Sequence, residues 1–162
     1  MSERIAIYPG SFDPVTLGHI NIVERTSKIF DHIHVVVMHN PSKKYLFSVE
    51  ERVKLTGLSL EHLSNVSVDY HCGLMVDYAR KKGVKCVIRG LRAVTDFEFE
   101  LQMANANRSM CPGLEIFFLM SDVTYSFISS SMVKEVAKFG GDVSTWVSPL
   151  IERELKLKFA QT

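Results

Sequence analysis

The chain lacks the marks of export, membrane insertion and disulfide architecture. Its three cysteines, Cys72, Cys86 and Cys111, are odd in number and widely spaced, with no C-x-x-C pair. That argues against a disulfide framework or a structural zinc site and suits reduced thiols acting as small hydrophobes. No apolar run approaches the ~18 residues that a membrane span needs. Val35-Val36-Val37-Met38 and Ile116-Phe117-Phe118-Leu119-Met120 fall far short. The apolar stretch after Met1-Ser2-Glu3-Arg4 stops at Pro9-Gly10, too early for a signal peptide, so a cytoplasmic setting is expected. An excess of one charge sign is missing too. A formal net charge of +1 gives no global attraction to nucleic acid or to a membrane surface, so neither is an expected partner. Any anion chemistry must come from locally placed cations. Neither G-x-x-x-x-G-K-[ST] nor G-x-G-x-x-G occurs, which argues against a P-loop NTPase and a dinucleotide oxidoreductase. His32, His34, His39, His62 and His71 have no metal-ligand spacing and read as structural or solvated.

What is there is a regular alternation. A chain of 162 residues, 46% hydrophobic and 23% charged, fits one domain over 1–162. Such a domain buries roughly 70% of its unfolded surface. Short β-rich runs are predicted at 4–8, 32–38, 66–70, 84–88 and 114–120, with helical stretches between them. Ser48-Val49-Glu50-Glu51 and Thr95-Asp96-Phe97-Glu98 read as capping boxes. Gly83 closes the third helix, Gly140-Gly141 the fifth, and Ser148-Pro149 opens the last. Near-continuous apolar strands between helices predict an α/β, Rossmann-like fold with a five-stranded parallel sheet covered on both faces. In such sheets ligands bind beyond the carboxyl ends of the strands, so the residues there are the candidates.

Four strand ends offer phosphate donors. After the first strand, Tyr8-Pro9-Gly10-Ser11-Phe12 leads to Gly18-His19, where a helix start presents N–H groups to an anion. A tight turn with an idle histidine would look the same. After the second come Lys43 and Lys44, also compatible with a solvated loop. After the fourth, Arg89-Gly90-Leu91-Arg92 follows apolar residues, and an arginine there needs an anionic partner. After the fifth, Ser129, Ser130 and Ser131 open a helix, and plain capping accounts for one serine of the three. No loop pairs a nucleophile with a base. The set suits phosphoryl or nucleotidyl transfer, where positioning and charge neutralisation carry the catalysis.

Read together, Tyr8-Pro9-Gly10-Ser11-Phe12-Asp13-Pro14, Gly18-His19, Pro41-Ser42-Lys43-Lys44, Ile88-Arg89-Gly90-Leu91-Arg92, Asp96-Phe97-Glu98 and Phe127-Ile128-Ser129-Ser130-Ser131 resemble the bacterial phosphopantetheine adenylyltransferases along essentially the whole chain. The resemblance implies transfer of the adenylyl group of ATP to 4'-phosphopantetheine, giving dephospho-coenzyme A and pyrophosphate. It implies that His19, Lys43 and Arg92 are catalytic, and that Ser11, Lys43, Met75 and Arg89 hold phosphopantetheine. It places Ser11, Phe12, His19, Gly90, Leu91, Arg92, Glu100, Tyr125, Ser126, Phe127, Ile128, Ser129, Ser130 and Ser131 at the ATP site. It also implies Mg2+ bridged through the ATP phosphates without protein ligands, a hexamer, and coenzyme A as a feedback ligand. Phe99, Ser121 and Tyr125 depart from some relatives and bear on adenine packing. Other readings are another small-molecule nucleotidyltransferase, or a non-catalytic nucleotide or coenzyme A sensor on the same scaffold.

Overall fold

A computed structural model describes residues 3–160, and of residues 94 and 95 the backbone only. The elements alternate along the chain: β1 (Ile5–Gly10), α1 (Leu17–Ser27), β2 (His32–His39), α2 (Val49–Leu60), β3 (Val66–Cys72), α3 (Met75–Lys82), β4 (Cys86–Leu91), α4 (Val94–Met110), β5 (Glu115–Met120), a 3₁₀ turn (Val123–Tyr125), α5 (Ser130–Lys138) and α6 (Pro149–Ala160). The strands form one parallel sheet in the order β3-β2-β1-β4-β5. This is the expected Rossmann-like α/β architecture. Among the described residues no helix is long and apolar enough to cross a membrane.

The central strands are apolar on both sides because both sides are covered. Along β1 and β2 the side chains alternate: Ala6, Tyr8, Val35 and Val37 enter one core, and Ile7 and Val36 enter the other. The first core takes Ile22 and Val23 from α1, Leu55 from α2, Val133 from α5, and Ile151 and Leu155 from α6. The second takes Val76, Tyr78 and Ala79 from α3. Fully burying each such valine, leucine or isoleucine is worth about 1.5–3 kcal/mol, so this packing fixes the sheet that carries the site.

Local signals set several boundaries as expected. Ser48 and Glu51 form the reciprocal capping box of α2, at 3.2 and 2.8 Å. Gly83 ends α3 in the left-handed region at φ 68°, which glycine adopts without a Cβ penalty. Two boundaries differ. β4 runs on through Arg89, Gly90 and Leu91, which pair with Phe118, Leu119 and Met120 of β5, so Arg89 is a strand residue and not a loop residue. α4 begins at Val94 with Ala93 as an N-cap that offers no side chain. The capping box expected at Thr95 falls on a side chain outside the described residues, and Asp96 turns back to Arg92.

Candidate active site

β1 lies between β2 and β4, and the connections that leave β1 and β4 run to opposite sides of the sheet order. Two cavities open at this switch point, where an open α/β sheet places its ligands. One, of about 470 Å³, runs over the β1–α1 loop to the start of α5. The other, of about 370 Å³, runs between the β2 end, α3 and α4. They share a wall made of Pro9, Gly10, Ser11, Arg89, Phe99 and Glu100. The first is lined mainly by polar loops and serines, the second mainly by apolar residues such as Met38, Leu74, Met75 and Met103.

His19 owes its pose to the helix it opens. Thr16 is the N-cap of α1, and its hydroxyl accepts from the His19 backbone N–H at 3.4 Å. In return, the Thr16 N–H donates to Nδ1 of His19 at 3.0 Å. A ring nitrogen that accepts a backbone N–H carries no proton, so in the neutral ring the proton sits on Nε2. Burial, reinforced by Arg92 and then Arg89, pushes the imidazole pKa down to about 4. At neutral pH His19 is therefore a neutral donor with a fixed tautomer, lining the first cavity.

Phe12 holds this arrangement from below. It is buried, and its ring meets the His19 ring edge-on at 5.1 Å between centroids. Its φ of 47° is an outlier for a bulky residue, the kind of strain that persists where the surroundings over-determine it. Gly10 must lack a side chain, because a Cβ there would stand 2.9 Å from the Phe12 ring. Phe12 thus acts as a prop at the site more than as an exposed contact.

Of the cations that line the cavities, the two arginines are engaged with carboxylates. Arg89 donates to Glu100 through Nε at 2.7 Å and Nη2 at 2.5 Å, and to the Pro9 carbonyl through Nη1 at 2.9 Å. Burial opposes its charge, but the bond to Glu100 raises its pKa overall. The anionic partner demanded by its position is thus Glu100. Arg92 donates through Nε to Asp96 at 3.1 Å and through Nη1 to the Ile128 carbonyl at 3.2 Å, which ties β4 to the entry of α5. Lys43 lines the second cavity, in an exposed loop closed by a bond from the Asn40 N–H to the Tyr45 hydroxyl at 3.0 Å. No salt bridge involves Lys43 among the described residues.

The three serines divide their work. Ser129 caps α5 by accepting from the Met132 N–H at 3.1 Å, and Ser130 donates to the Pro14 carbonyl at 2.8 Å. Ser131 is exposed on the first cavity and its hydroxyl makes no hydrogen bond to a described residue, which accounts for a serine that capping does not need. The start of α1 is more occupied than expected: Leu17 N–H goes to the Trp146 carbonyl and His19 N–H to Thr16.

The structure gathers Ser11, Phe12, His19, Arg89, Gly90, Arg92, Glu100, Tyr125, Ile128, Ser129, Ser130 and Ser131 around the first cavity, and Lys43 and Met75 around the second. Three expected ATP-site residues do not line it. Leu91 points into the interior because it alternates with Gly90 along β4. Ser126 turns its hydroxyl to the Val123 carbonyl within the 3₁₀ turn, and Phe127 packs edge-on against Trp146. Two partners escaped the sequence reading. Buried Asp13 accepts from the Leu46 and Phe47 N–H groups at 3.0 and 2.9 Å and from Lys134 Nζ at 2.6 Å. It lashes the β1–α1 loop both to the lysine-bearing segment and to α5. An aspartate before proline reads as a turn former, and nothing local signals so distant a lysine.

Comparison with known proteins agrees with this geometry. The cytidylyltransferase-like family model matches residues 7–136. A phosphopantetheine adenylyltransferase from Petrotoga mobilis is 56% identical over 158 residues, covering 98% of this chain and 98% of its own. One from Alkaliphilus metalliredigens is 52% identical over 155 residues, covering 96% and 99%. Among solved structures, the nicotinic acid mononucleotide adenylyltransferase of Plasmodium falciparum superimposes with a TM-score of 0.70 at 15% identity, over 98% of this chain and 96% of that one. At that identity the likeness speaks for the fold alone.

Proposed function

The chain belongs to the cytidylyltransferase-like family and, within it, to the phosphopantetheine adenylyltransferases, and from that membership we propose how its cleft performs the reaction. The enzyme transfers the adenylyl group of ATP to 4'-phosphopantetheine, forming dephospho-coenzyme A and pyrophosphate. On this reading ATP occupies the first cavity. The acceptor's phosphate sits at the shared wall with its pantetheine arm in the second, along Met75. The observation that carries it is that wall: two chambers of contrasting polarity meet at Ser11 and Arg89, beside the His19 donor.

An oxygen of the 4'-phosphate attacks the α-phosphorus of ATP, the new P–O bond forms, and the bond to the β-phosphate breaks in line. Two polyanions must approach, so charge neutralisation is a main task. Lys43 and Arg89 face the attacking phosphate, while Arg92 and the hydroxyl of Ser131 face the leaving pyrophosphate. Nε2–H of His19 donates to an α-phosphate oxygen as charge builds there. With its pKa held down to about 4 the ring is neutral at pH 7, so it acts as a hydrogen-bond donor and not as an imidazolium acid.

Magnesium enters this reading with the triphosphate. The carboxylates of the first cavity, Asp96 and Glu100, are each held by an arginine, which fits an ion carried on phosphate oxygens. When bound, it neutralises phosphate charge and orients the chain of phosphates. The reading further takes 1–162 as one nucleotidyltransferase domain in the cytoplasm, assembled as a hexamer and feedback-bound by coenzyme A. Exposed Phe97, Phe117 and Met120 on α4 and β5 support self-association. Light scattering tests the hexamer.

The deciding assay mixes ATP and magnesium with each of several phosphorylated acceptors and follows pyrophosphate. Release with 4'-phosphopantetheine and not with nicotinate mononucleotide supports the assignment; the reverse preference overturns it.

A further inference from the structure

Among the described residues the largest fully buried side chain is a cation. Arg52 of α2 is 0% exposed, and no carboxylate among the described residues forms a salt bridge with it. Glu50, out in solvent, feels its field without touching it. Nη1 donates to the carbonyls of Ser11 at 2.7 Å and Met38 at 3.2 Å. Nη2 lies 3.0 Å from Nδ1 of His39, which accepts, and the guanidinium stacks on Tyr45 at 4.0 Å from the ring centroid. Nε has no partner among the described residues.

A buried charge is ordinarily paired, because desolvating it alone is expensive. Here the neutralisation is left to carbonyl dipoles, an imidazole and a π-face. The residues that Arg52 grips belong to one place. Ser11 and Met38 line the second cavity together with Lys43, and Tyr45 closes the loop that carries Lys43. We propose that Arg52 is a positioning residue for the acceptor subsite: it pins the Ser11 peptide and the root of the lysine loop, and from behind that wall, lining neither cavity, its unpaired charge attracts the phosphate of the incoming acceptor. This rests on the assignment of the second cavity to phosphopantetheine.

The test supplies the missing counter-ion without removing the arginine. In His39→Asp and His39→Asn, an Oδ1 takes the place of Nδ1, and the two are isosteric, differing in charge and in the amide NH2. Titration calorimetry with 4'-phosphopantetheine is expected to show roughly ten-fold weaker binding to the Asp variant than to the Asn variant, with ATP affinity moving less than about two-fold. The Asp variant should unfold at no lower temperature, since its carboxylate pairs with the guanidinium. Equal acceptor affinity in the two variants overturns the proposal. A second pair tests Arg52 itself: Arg52→Lys, which keeps the charge, should retain more acceptor affinity than Arg52→Gln, with unfolding midpoints establishing that each is folded. Equal losses would reduce Arg52 to scaffolding. Lys43→Ala separates the two layers. If it weakens acceptor binding while the His39 pair stays equal, only the role of Arg52 fails; if it too is without effect, the subsite assignment fails.

Discussion

Asp13 and Lys134 are 121 residues apart in the chain and 2.6 Å apart in space. The carboxylate is almost wholly enclosed and also accepts from the N–H groups of Leu46 and Phe47. One side chain thus holds together the loop that bears Ser11, the segment after Lys43, and the helix that Ser129 opens. The three parts of the cleft are set against each other by this junction.

Asp13→Ala should therefore cost about 3–5 kcal/mol of stability, because it strands a partly buried ammonium and two backbone donors at once. Lys134→Met should cost less, since the carboxylate keeps its two N–H donors. Urea denaturation of both variants measures the difference, and equal losses would show that the backbone bonds contribute nothing.

His19→Ala should bind ATP nearly as the parent does but turn over on the order of 10²–10³ times more slowly, the usual effect of deleting a donor to developing charge. Near-parental kcat would remove His19 from the reaction.

The pH dependence follows from the same ring. With a pKa near 4 rather than 6.5, His19 leaves no step in kcat around pH 6.5, and its acid limb lies near 4. Arg92→Gln removes one repelling cation, so the imidazole pKa should climb towards 6.5, as NMR titration of the ring would register. Stability has a matching sign: as pH falls from 6.5 towards 4 the unfolded chain takes up the proton first, and the fold weakens.

Lys43 and Glu100 should separate in kinetics. Lys43→Ala should raise KM for phosphopantetheine well above any change for ATP. Glu100→Gln loosens Arg89 on a wall common to both cavities, so both KM values should rise together. Since Arg89 is partly open to solvent, the stability loss should be only about 1–2 kcal/mol. Steady-state kinetics with each substrate varied in turn distinguishes the two patterns.

Much of the scaffold was legible in the sequence because it is written locally. The apolar runs of β1 and β2 announce strands covered on both faces, and Ser48 with Glu51, or Gly83, marks a helix end through its own neighbours. The polar residues that line the cavities were legible as polar interruptions after apolar runs. What escaped depends on pairing across the fold. β4 continues through Arg89 because β5 lies alongside it, and no property of Arg-Gly-Leu announces that. Arg52 sits amid Glu-Glu-Arg-Val-Lys, which reads as a solvated helix face, yet it is buried because the loops of two strands fold over it. Phe12 resembles a ligand contact in sequence, and only its positive φ and its abutment on Gly10 disclose a supporting part.

The strip from Pro9 to Ser11 borders both chambers. A guest confined to one side touches one face of it; a guest long enough to fill both must straddle the Ser11 peptide. If each substrate fills one chamber as proposed, the joined product is the tenant that spans both, and its departure should be slower than that of either substrate alone.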